Sequence, residues 1–396
     1  MASTSFKVVG CDVQVWNDEL FQKVRVRDGV PDNFLADPEG VGPFKAGGGK
    51  GGDLMAFTKD AKYIIKELNK GDHAALLKIT SSYVERVFSG KSLLCTFYLH
   101  YTDPSTDKNF MVMKNLLAHK GPYTGLYDLK GCADDKTLEV NGRKVKTVNK
   151  RVWHLHMWGG DCCWSDDRVT YYQGKVAARR LAISVTDEQR KAIIERLELD
   201  TAWLAENSLM DYSLLLGMHR VSQAELESDP RLRFARSGLP GELRQPLLHR
   251  ENKHDVMLVY IGIIDFLQTW TAGKQVAMCL KVMERNKATI PPHPYGKRFL
   301  EHFSRNIRGG AKPVEPLEDS EDSQPQPAMY ARAVSDAVTY YSCEDLREDL
   351  RELSHGIESP PANGGEKSRS ARGHKAGSGP ACFGGPCFGG LFKGSE

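Results

Sequence analysis

Two apolar runs decide the fold, and the first reads LMDYSLLLGMH (residues 209–219). The second reads VYIGIIDF (residues 259–266). Each has the composition of a buried strand, yet each carries one aspartate, Asp211 in the first run and Asp265 in the second. A buried strand rarely keeps an unpaired carboxylate, because burying a charge without a partner is costly. The pattern therefore predicts that the two aspartates converge at adjacent strand ends.

A glycine run upstream, GGGKGG (residues 47–52), precedes two short strand-like runs at 54–58 and 63–65, and Lys66 closes the second. A glycine loop lets backbone amides approach phosphates closely, and a lysine on a strand neutralises phosphate charge. The glycine run alone also fits a flexible turn. It matches no Walker loop, since G-x-x-x-x-G-K-[ST] does not occur, and it precedes a hairpin rather than the helix of a dinucleotide-binding loop.

A second lysine, Lys130, lies in the motif YDLKG (residues 127–131), which alone is also typical of a surface turn. Two lysines and two aspartates together suit Mg²⁺ and a polyphosphate. Carboxylate oxygens are the hard ligands that the metal prefers, and ammonium groups neutralise phosphates.

Local signals predict two further elements. Thr186 and Gln189 form a capping box that predicts a helix over 186–207. The apolar runs 93–99 and 110–117 flank a turn signal and predict a hairpin.

Three blocks in chain order resemble the phosphatidylinositol phosphate kinase family, and they are YDLKG (127–131), MDYSLL (210–215) and IGIID (261–265). Four weaker matches support them: IIK (64–66), VMKNLL (112–117), DTAWL (200–204) and YGKRF (295–299). The resemblance covers roughly residues 15–308. It implies a two-lobed α+β lipid-kinase fold, with antiparallel sheets and flanking helices, that is distantly similar to protein kinases.

The implied domain layout is a catalytic domain over 1–308, with an N-lobe near 1–117 and a C-lobe near 118–308. Residues 309–396 are expected to hold a linker, one helix over 331–353 and a disordered tail rich in Gly, Ser and Pro.

The resemblance also assigns roles, with ATP and Mg²⁺ as the implied cofactors. Asp211 and Lys130 are the expected catalytic residues, and Asp265 with Asp211 would bind the metal. The expected nucleotide-binding residues are Gly49, Gly52, Lys66, Asn115 and Lys130.

Some positions depart from the family pattern. Asp72 stands where the glutamate that pairs with the ATP lysine is expected, Cys132 replaces a serine, and residues 133–136 replace a basic stretch. Because of these departures, one alternative interpretation is a pseudokinase that binds phosphoinositides as a scaffold. A soluble inositol-phosphate kinase is the other alternative.

A lipid kinase works on an anionic membrane surface, and basic side chains interleaved with apolar ones provide such a contact. An ordinary docked helix with solvated lysines would show the same pattern. The resemblance favours contact with membrane and substrate, and the residues concerned are Lys274, Lys281, Arg285, Lys287, Lys297 and Arg298. The expected substrate is a phosphoinositide, and the IGIID block favours conversion of phosphatidylinositol 4-phosphate to the 4,5-bisphosphate.

Composition limits the classes of partner and the cellular compartment that can be expected for this chain. With 54 Lys and Arg against 51 Asp and Glu, the chain is not a polycation, so no nucleic-acid partner is expected. The longest apolar run, 256–264, is shorter than the ~18 residues of a spanning helix. Nine cysteines and a start without a signal-peptide pattern favour a reduced, cytoplasmic protein. The resemblance implies that it binds the cytosolic face of membranes peripherally.

Cys382 and Cys387 are candidate acylation sites, because two acyl chains beside a basic patch anchor a protein stably where one does not. The alternative is an unmodified tail. Metabolic labelling with a palmitate analogue should give a hydroxylamine-sensitive signal that the double serine variant loses. Absence of the signal, or its persistence in that variant, would contradict acylation.

Overall fold

The computed structural model describes residues 6–46, 54–117, 122–148, 165–222, 247–250, 256–275 and 289–311. Within them the chain forms two large antiparallel sheets flanked by helices, which confirms the predicted α+β class. The predicted domain boundaries stay predictions. Residues 312–396, with the expected helix 331–353, Cys382 and Cys387, lie outside the described part of the chain.

The first sheet has seven strands in the order β1-β2-β6-β7-β5-β4-β3. Two helices accompany it, α1 (Asp18–Asp28) and α2 (Lys70–Phe88). Its strands are β1 (Phe6–Val8), β2 (Cys11–Val15), β3 (Lys45–Ala46), β4 (Leu54–Phe57), β5 (Tyr63–Leu68), β6 (Phe97–Asp103) and β7 (Lys108–Lys114).

The second sheet has six strands in the order β10-β9-β8-β12-β14-β13. They are β8 (Gly125–Leu129), β9 (Lys136–Val140), β10 (Arg143–Lys144), β12 (Ser213–Val221), β13 (Leu247–Arg250) and β14 (Val256–Ile264). This part of the chain also forms three helices, α3 (Asp166–Arg180), α4 (Asp187–Glu206) and α5 (Pro292–Asn306). A short parallel pair, β11 (Ile183–Ser184) with β15 (Ile307–Arg308), lies beside them.

Both predicted hairpins form, since β4 pairs with β5 and β6 pairs with β7. The two strands of the second hairpin come closer to the turn than its apolar runs, 93–99 and 110–117, indicate. The Asp103 carboxylate accepts hydrogen bonds from the Ser105 amide at 2.9 Å and from the Thr106 hydroxyl at 2.8 Å. Such a local bond to an aspartate stabilises a turn, so the strands extend to Asp103 and restart at Lys108.

One hydrophobic core contains residues of both sheets, among them Met113 of β7, Leu214 of β12 and Ile263 of β14. A parallel bridge between Leu94 and Ile263 connects the segment before β6 with the end of β14. The two sheets are therefore held together close to the end of β14. No helix in the described ranges is long and apolar enough to cross a membrane.

The predicted capping box at the start of α4 is confirmed. The Thr186 hydroxyl accepts from the Gln189 amide at 3.2 Å, and the Gln189 side chain accepts from the Thr186 amide at 3.1 Å. Two backbone donors that the first turn leaves unpaired are thereby satisfied.

We expect Thr186→Ala to lower the free energy of unfolding by about 1 kcal/mol, because the cap hydroxyl is lost. Urea denaturation followed by circular dichroism measures the change. Thr186→Ser keeps the hydroxyl and should stay close to the wild-type protein. Equal destabilisation by both substitutions would contradict a role for the cap.

Candidate active site

Asp211 and Asp265 meet at one edge of the second sheet. Strand β12 runs antiparallel to β14 with Ser213 opposite Ile264, so the start of one strand lies beside the end of the other. Asp211 comes just before β12 and Asp265 just after β14. The predicted convergence of the two aspartates is confirmed.

The loops that carry the aspartates are hydrogen-bonded to each other. The Met210 amide donates to the Gln268 carbonyl at 2.9 Å, and the Trp270 amide donates to the Ser208 carbonyl at 2.9 Å. Leu209 and Thr269 form an antiparallel bridge between these bonds. The pairing of β12 with β14 therefore continues beyond both aspartates and fixes one loop against the other.

Both aspartates have left-handed backbone geometry, with φ of 65° at Asp211 and 56° at Asp265. Aspartate tolerates this region better than most residues, because its short polar side chain bonds locally. Such conformations persist where the surrounding structure imposes them, and they cluster at functional sites. Here the chain turns at Asp211 before it enters β12 and at Asp265 as it leaves β14.

Each aspartate is paired with one of the predicted lysines. Lys130 follows β8, the other neighbour of β12, and its Nζ lies 2.5 Å from Asp211 Oδ1 and 2.8 Å from the Asp211 carbonyl. Lys66 lies on β5 of the first sheet, and its Nζ is 2.6 Å from Asp265 Oδ1. The second ion pair therefore joins the two sheets across the site.

The environment keeps Lys130 charged. Burial disfavours the ammonium form, but the nearby Asp211 carboxylate outweighs it, so the pKa of Lys130 lies above its ordinary value. Lys130 is therefore a permanent cation at neutral pH, suited to binding an anion.

Gln268 and Lys274 add a second contact to Asp211. With the Gln268 amide oriented to satisfy both neighbours, its nitrogen donates to Asp211 Oδ2 at 2.8 Å and its oxygen accepts from Lys274 Nζ at 2.7 Å. Lys274 is partly buried beside these groups, and burial lowers its pKa although Asp211 and Asp72 oppose the shift. Lys274 thus lies beside Asp211, and its expected contact with substrate or membrane stays a prediction.

Lys130 is supported from behind by the segment that departs from the family pattern. Asp135 is fully buried, and its Oδ1 accepts from the Lys130 amide at 2.6 Å and from the Cys132 amide at 3.3 Å. Arg179 Nη1 lies 3.5 Å from the other oxygen. The carboxylate therefore organises the turn after β8 that presents Lys130. Sequence reasoning missed this role, since an aspartate in a polar turn gives no sign of burial.

Helix α5 holds the Asp211 loop from another side. The Tyr295 hydroxyl donates to the Tyr212 carbonyl, and the two rings are 4.7 Å apart between centroids. Arg298 lies over the Tyr295 ring at 5.1 Å, whereas Lys297 is exposed. Of the two predicted membrane residues on α5, only Lys297 therefore presents an exposed side chain.

The other predicted site residues separate into two groups. Asn115 is buried, and its side chain bonds the Ala61 carbonyl at 2.7 Å and the Leu117 amide at 3.0 Å, so nucleotide binding by Asn115 stays a prediction. Five others lie outside the described residues, and these are Gly49, Gly52, Lys281, Arg285 and Lys287.

A family model described as phosphatidylinositol-4-phosphate 5-kinase matches residues 45–242 and 240–306, a range that holds Lys66, Lys130, Asp211 and Asp265. The chain belongs to this family. It is a phosphatidylinositol phosphate kinase, and membership implies ATP as the phosphate donor and a phosphoinositide as the acceptor.

Similar proteins carry related names. The chain is 26% identical over 333 residues to "Phosphatidylinositol 5-phosphate 4-kinase type-2 gamma" of Xenopus tropicalis, a match that covers 73% of this chain and 74% of that protein. It is 25% identical over 338 residues to the Homo sapiens protein of the same name, covering 73% and 75%. It is 23% identical over 300 residues to "Phosphatidylinositol 4-phosphate 5-kinase 3" of Arabidopsis thaliana, covering 65% and 39%.

For this kinase we expect Gln268→Met to lower kcat about tenfold, because Asp211 loses a hydrogen bond that is worth roughly 1.5–3 kcal/mol to a charged group. Steady-state kinetics on lipid vesicles measures the change, and the KM for lipid should change little. The control is Gln275→Met, the same substitution at an exposed nearby position. Equal losses in both variants would contradict a role for the Gln268 amide.

Proposed function

We propose that the kinase uses Mg·ATP to phosphorylate a phosphatidylinositol monophosphate at a membrane surface and that its product is phosphatidylinositol 4,5-bisphosphate. The observation that carries the proposal is the meeting of Lys66, Lys130, Asp211 and Asp265 at one edge of the second sheet. Phosphatidylinositol 4-phosphate is the first candidate substrate, in agreement with the IGIID block. The names of the vertebrate relatives favour phosphatidylinositol 5-phosphate as the second.

The donor set fits magnesium bound together with phosphate oxygens. Mg²⁺ in phosphoryl-transfer sites takes one or two carboxylates and completes its shell with phosphates and water. Asp265 is half-exposed and Asp211 partly exposed, so both carboxylates are accessible. No group of three or more acidic, histidine or cysteine side chains in the described ranges forms a closed cage. Bound Mg²⁺ would neutralise charge on the phosphates, and Asp265 with Asp211 would hold it.

The protein side chains would then divide the remaining work. Lys66 and Lys130 are held by carboxylates at 2.6 and 2.5 Å, and either ammonium group could turn to a phosphate oxygen while its aspartate turns to the metal. Asp211 would accept or orient the proton of the inositol hydroxyl. Most of the catalytic effect in such a site comes from positioning and from electrostatic stabilisation of developing charge.

We infer peripheral contact with the cytosolic face of an anionic membrane. The exposed side chain of Lys297 supports the inference within the described residues, and the basic residues expected at 281–287 would extend the contact. Each cation near an anionic surface adds about 1 kcal/mol of attraction.

The test is transfer of labelled γ-phosphate from Mg·ATP to anionic vesicles that each carry one phosphatidylinositol monophosphate isomer. We expect a bisphosphate product, and its formation should fall at least about 100-fold in Asp265→Asn, because a carboxylate that would hold the charge-neutralising Mg²⁺ is lost. Asp107→Asn is the matched control, since Asp107 also has a positive φ, of 53°, and lies in an exposed turn. The preferred isomer then assigns the substrate.

Two outcomes would replace the proposal. Vesicle binding without product on any isomer would favour the phosphoinositide-binding scaffold. Neither product nor binding, together with transfer to soluble inositol phosphates, would favour the soluble inositol-phosphate kinase.

A further inference from the structure

Asp200 on α4 is a fully buried carboxylate outside the site described above. Three donors converge on it. Arg86 Nε on α2 lies at 2.8 Å, the Ser92 hydroxyl at 2.9 Å and the Leu93 backbone amide at 2.6 Å. A buried carboxylate with this set of partners is strongly fixed, because loss of any partner would leave a desolvated charge.

The segment that Asp200 holds in turn holds the end of β14. The Ile263 amide donates to the Leu93 carbonyl at 2.7 Å, and the Cys95 amide donates to the Ile263 carbonyl at 2.8 Å. Both backbone groups of Ile263 are thus bonded by the segment Ser92–Cys95. Ile263 lies two positions before Asp265.

The residue after Asp265 is held from the same direction. Phe266 stacks on Phe97, with ring centroids 5.0 Å apart and planes within 13°. Tyr83 of α2 lies against both rings, and its hydroxyl donates to the Cys95 carbonyl at 2.8 Å and accepts from the Phe97 amide at 2.8 Å. The backbone is therefore fixed immediately before and after Asp265, and α2 and α4 supply the fixing groups.

We propose that Asp200 is a positioning residue for Asp265: by holding the segment Ser92–Cys95 against β14, it sets the direction of the Asp265 carboxylate and thereby the affinity of the site for magnesium. The proposal rests on the metal-binding role proposed above for Asp265. It assigns no contact between Asp200 and any ligand.

The charge of Asp200 makes the proposal testable by pH. Burial raises the pKa of Asp200 to about 6, against the opposing effect of Arg86. The charged or titratable groups that face it are Arg86 from α2, Arg196 from α4 and Tyr212 from the Asp211 loop. The arginines stay charged and burial raises the pKa of Tyr212 further from neutrality, so Asp200 is the group in this cluster that titrates near pH 6. Protonation would remove the charge that its three donors stabilise.

The experiment measures the Mg²⁺ dependence of ADP binding by calorimetry and of lipid phosphorylation on vesicles, both with Asp200→Asn. We expect the Mg²⁺ concentration for half-saturation to rise about tenfold, the range seen when groups that orient metal ligands are removed. The KM for lipid should stay unchanged. In the wild-type protein the half-saturation value should rise as the pH falls through about 6, and it should rise more steeply than in Asp200→Asn, in which only the titration of the ADP phosphate remains.

Two further variants keep the test decisive. Glu198→Gln removes a carboxylate from the exposed side of the same helix and should change neither quantity. Ser92→Ala removes a single donor, should leave the protein folded by thermal melting, and should give a smaller rise in the Mg²⁺ half-saturation value. If Asp200→Asn does not fold, the Mg²⁺ half-saturation value of Ser92→Ala decides between a positioning role and a purely structural role for Asp200.

An unchanged Mg²⁺ half-saturation value and an unchanged pH profile in the folded variants would overturn the proposal and leave Asp200 a purely structural residue. The failure of the proposed function is separate. If the wild-type protein transfers no phosphate but its ADP binding needs Mg²⁺ and weakens in the variants, the positioning role stands without the kinase reaction. If it transfers phosphate and the variants match it in Mg²⁺ dependence, only the positioning role fails.

Discussion

The antiparallel pairing of β12 with β14 is the constraint on which the site depends. Since Ser213 lies opposite Ile264, the loop that enters one strand and the loop that leaves the other share one edge, and the bridge between Leu209 and Thr269 keeps them together. Strand β8 adds Lys130 because it is the other neighbour of β12. A shift of one residue in this register would turn the strand faces over and separate the charged groups.

One ion pair of the site crosses from the first sheet to the second. Lys66 belongs to the first sheet and Asp265 to the second, so their pair at 2.6 Å links the halves through the functional groups themselves. Both groups are partly exposed, so solvent screening leaves such a pair modest in stability. Its consequence is functional, because neither charge is buried so deeply that an incoming anion or cation could not replace its partner.

The strand-borne charges could be predicted from the sequence, because a lone aspartate or lysine at the end of an apolar run violates the usual burial pattern. Asp211, Asp265 and Lys66 carry that signal, whereas Lys130 is indicated by the family resemblance, and the structure brings all four together. Gln268 carried none, since a neutral amide in a loop is unremarkable. The alternation of basic and apolar residues around Lys274 predicts contact with membrane or substrate, but no local pattern indicates its proximity to Gln268 and Asp211. The role of Asp135 likewise depends on tertiary contacts, since its carboxylate meets the Lys130 amide and Arg179 in the folded protein.

The departures from the family pattern take part in the same balance of charges. Burial raises the pKa of Asp135, but Arg179 and two backbone amides oppose the shift, and those amides belong to the turn that presents Lys130. Asp72, in the first turn of α2, acts electrostatically on Lys274. Asp135 and Asp72, whose departure from the family pattern motivated the pseudokinase alternative, thus support Lys130 and Lys274. A scaffold that only bound phosphoinositides would need the cations but would have no use for carboxylates held beside them, and here both kinds of charge are retained at hydrogen-bond distance.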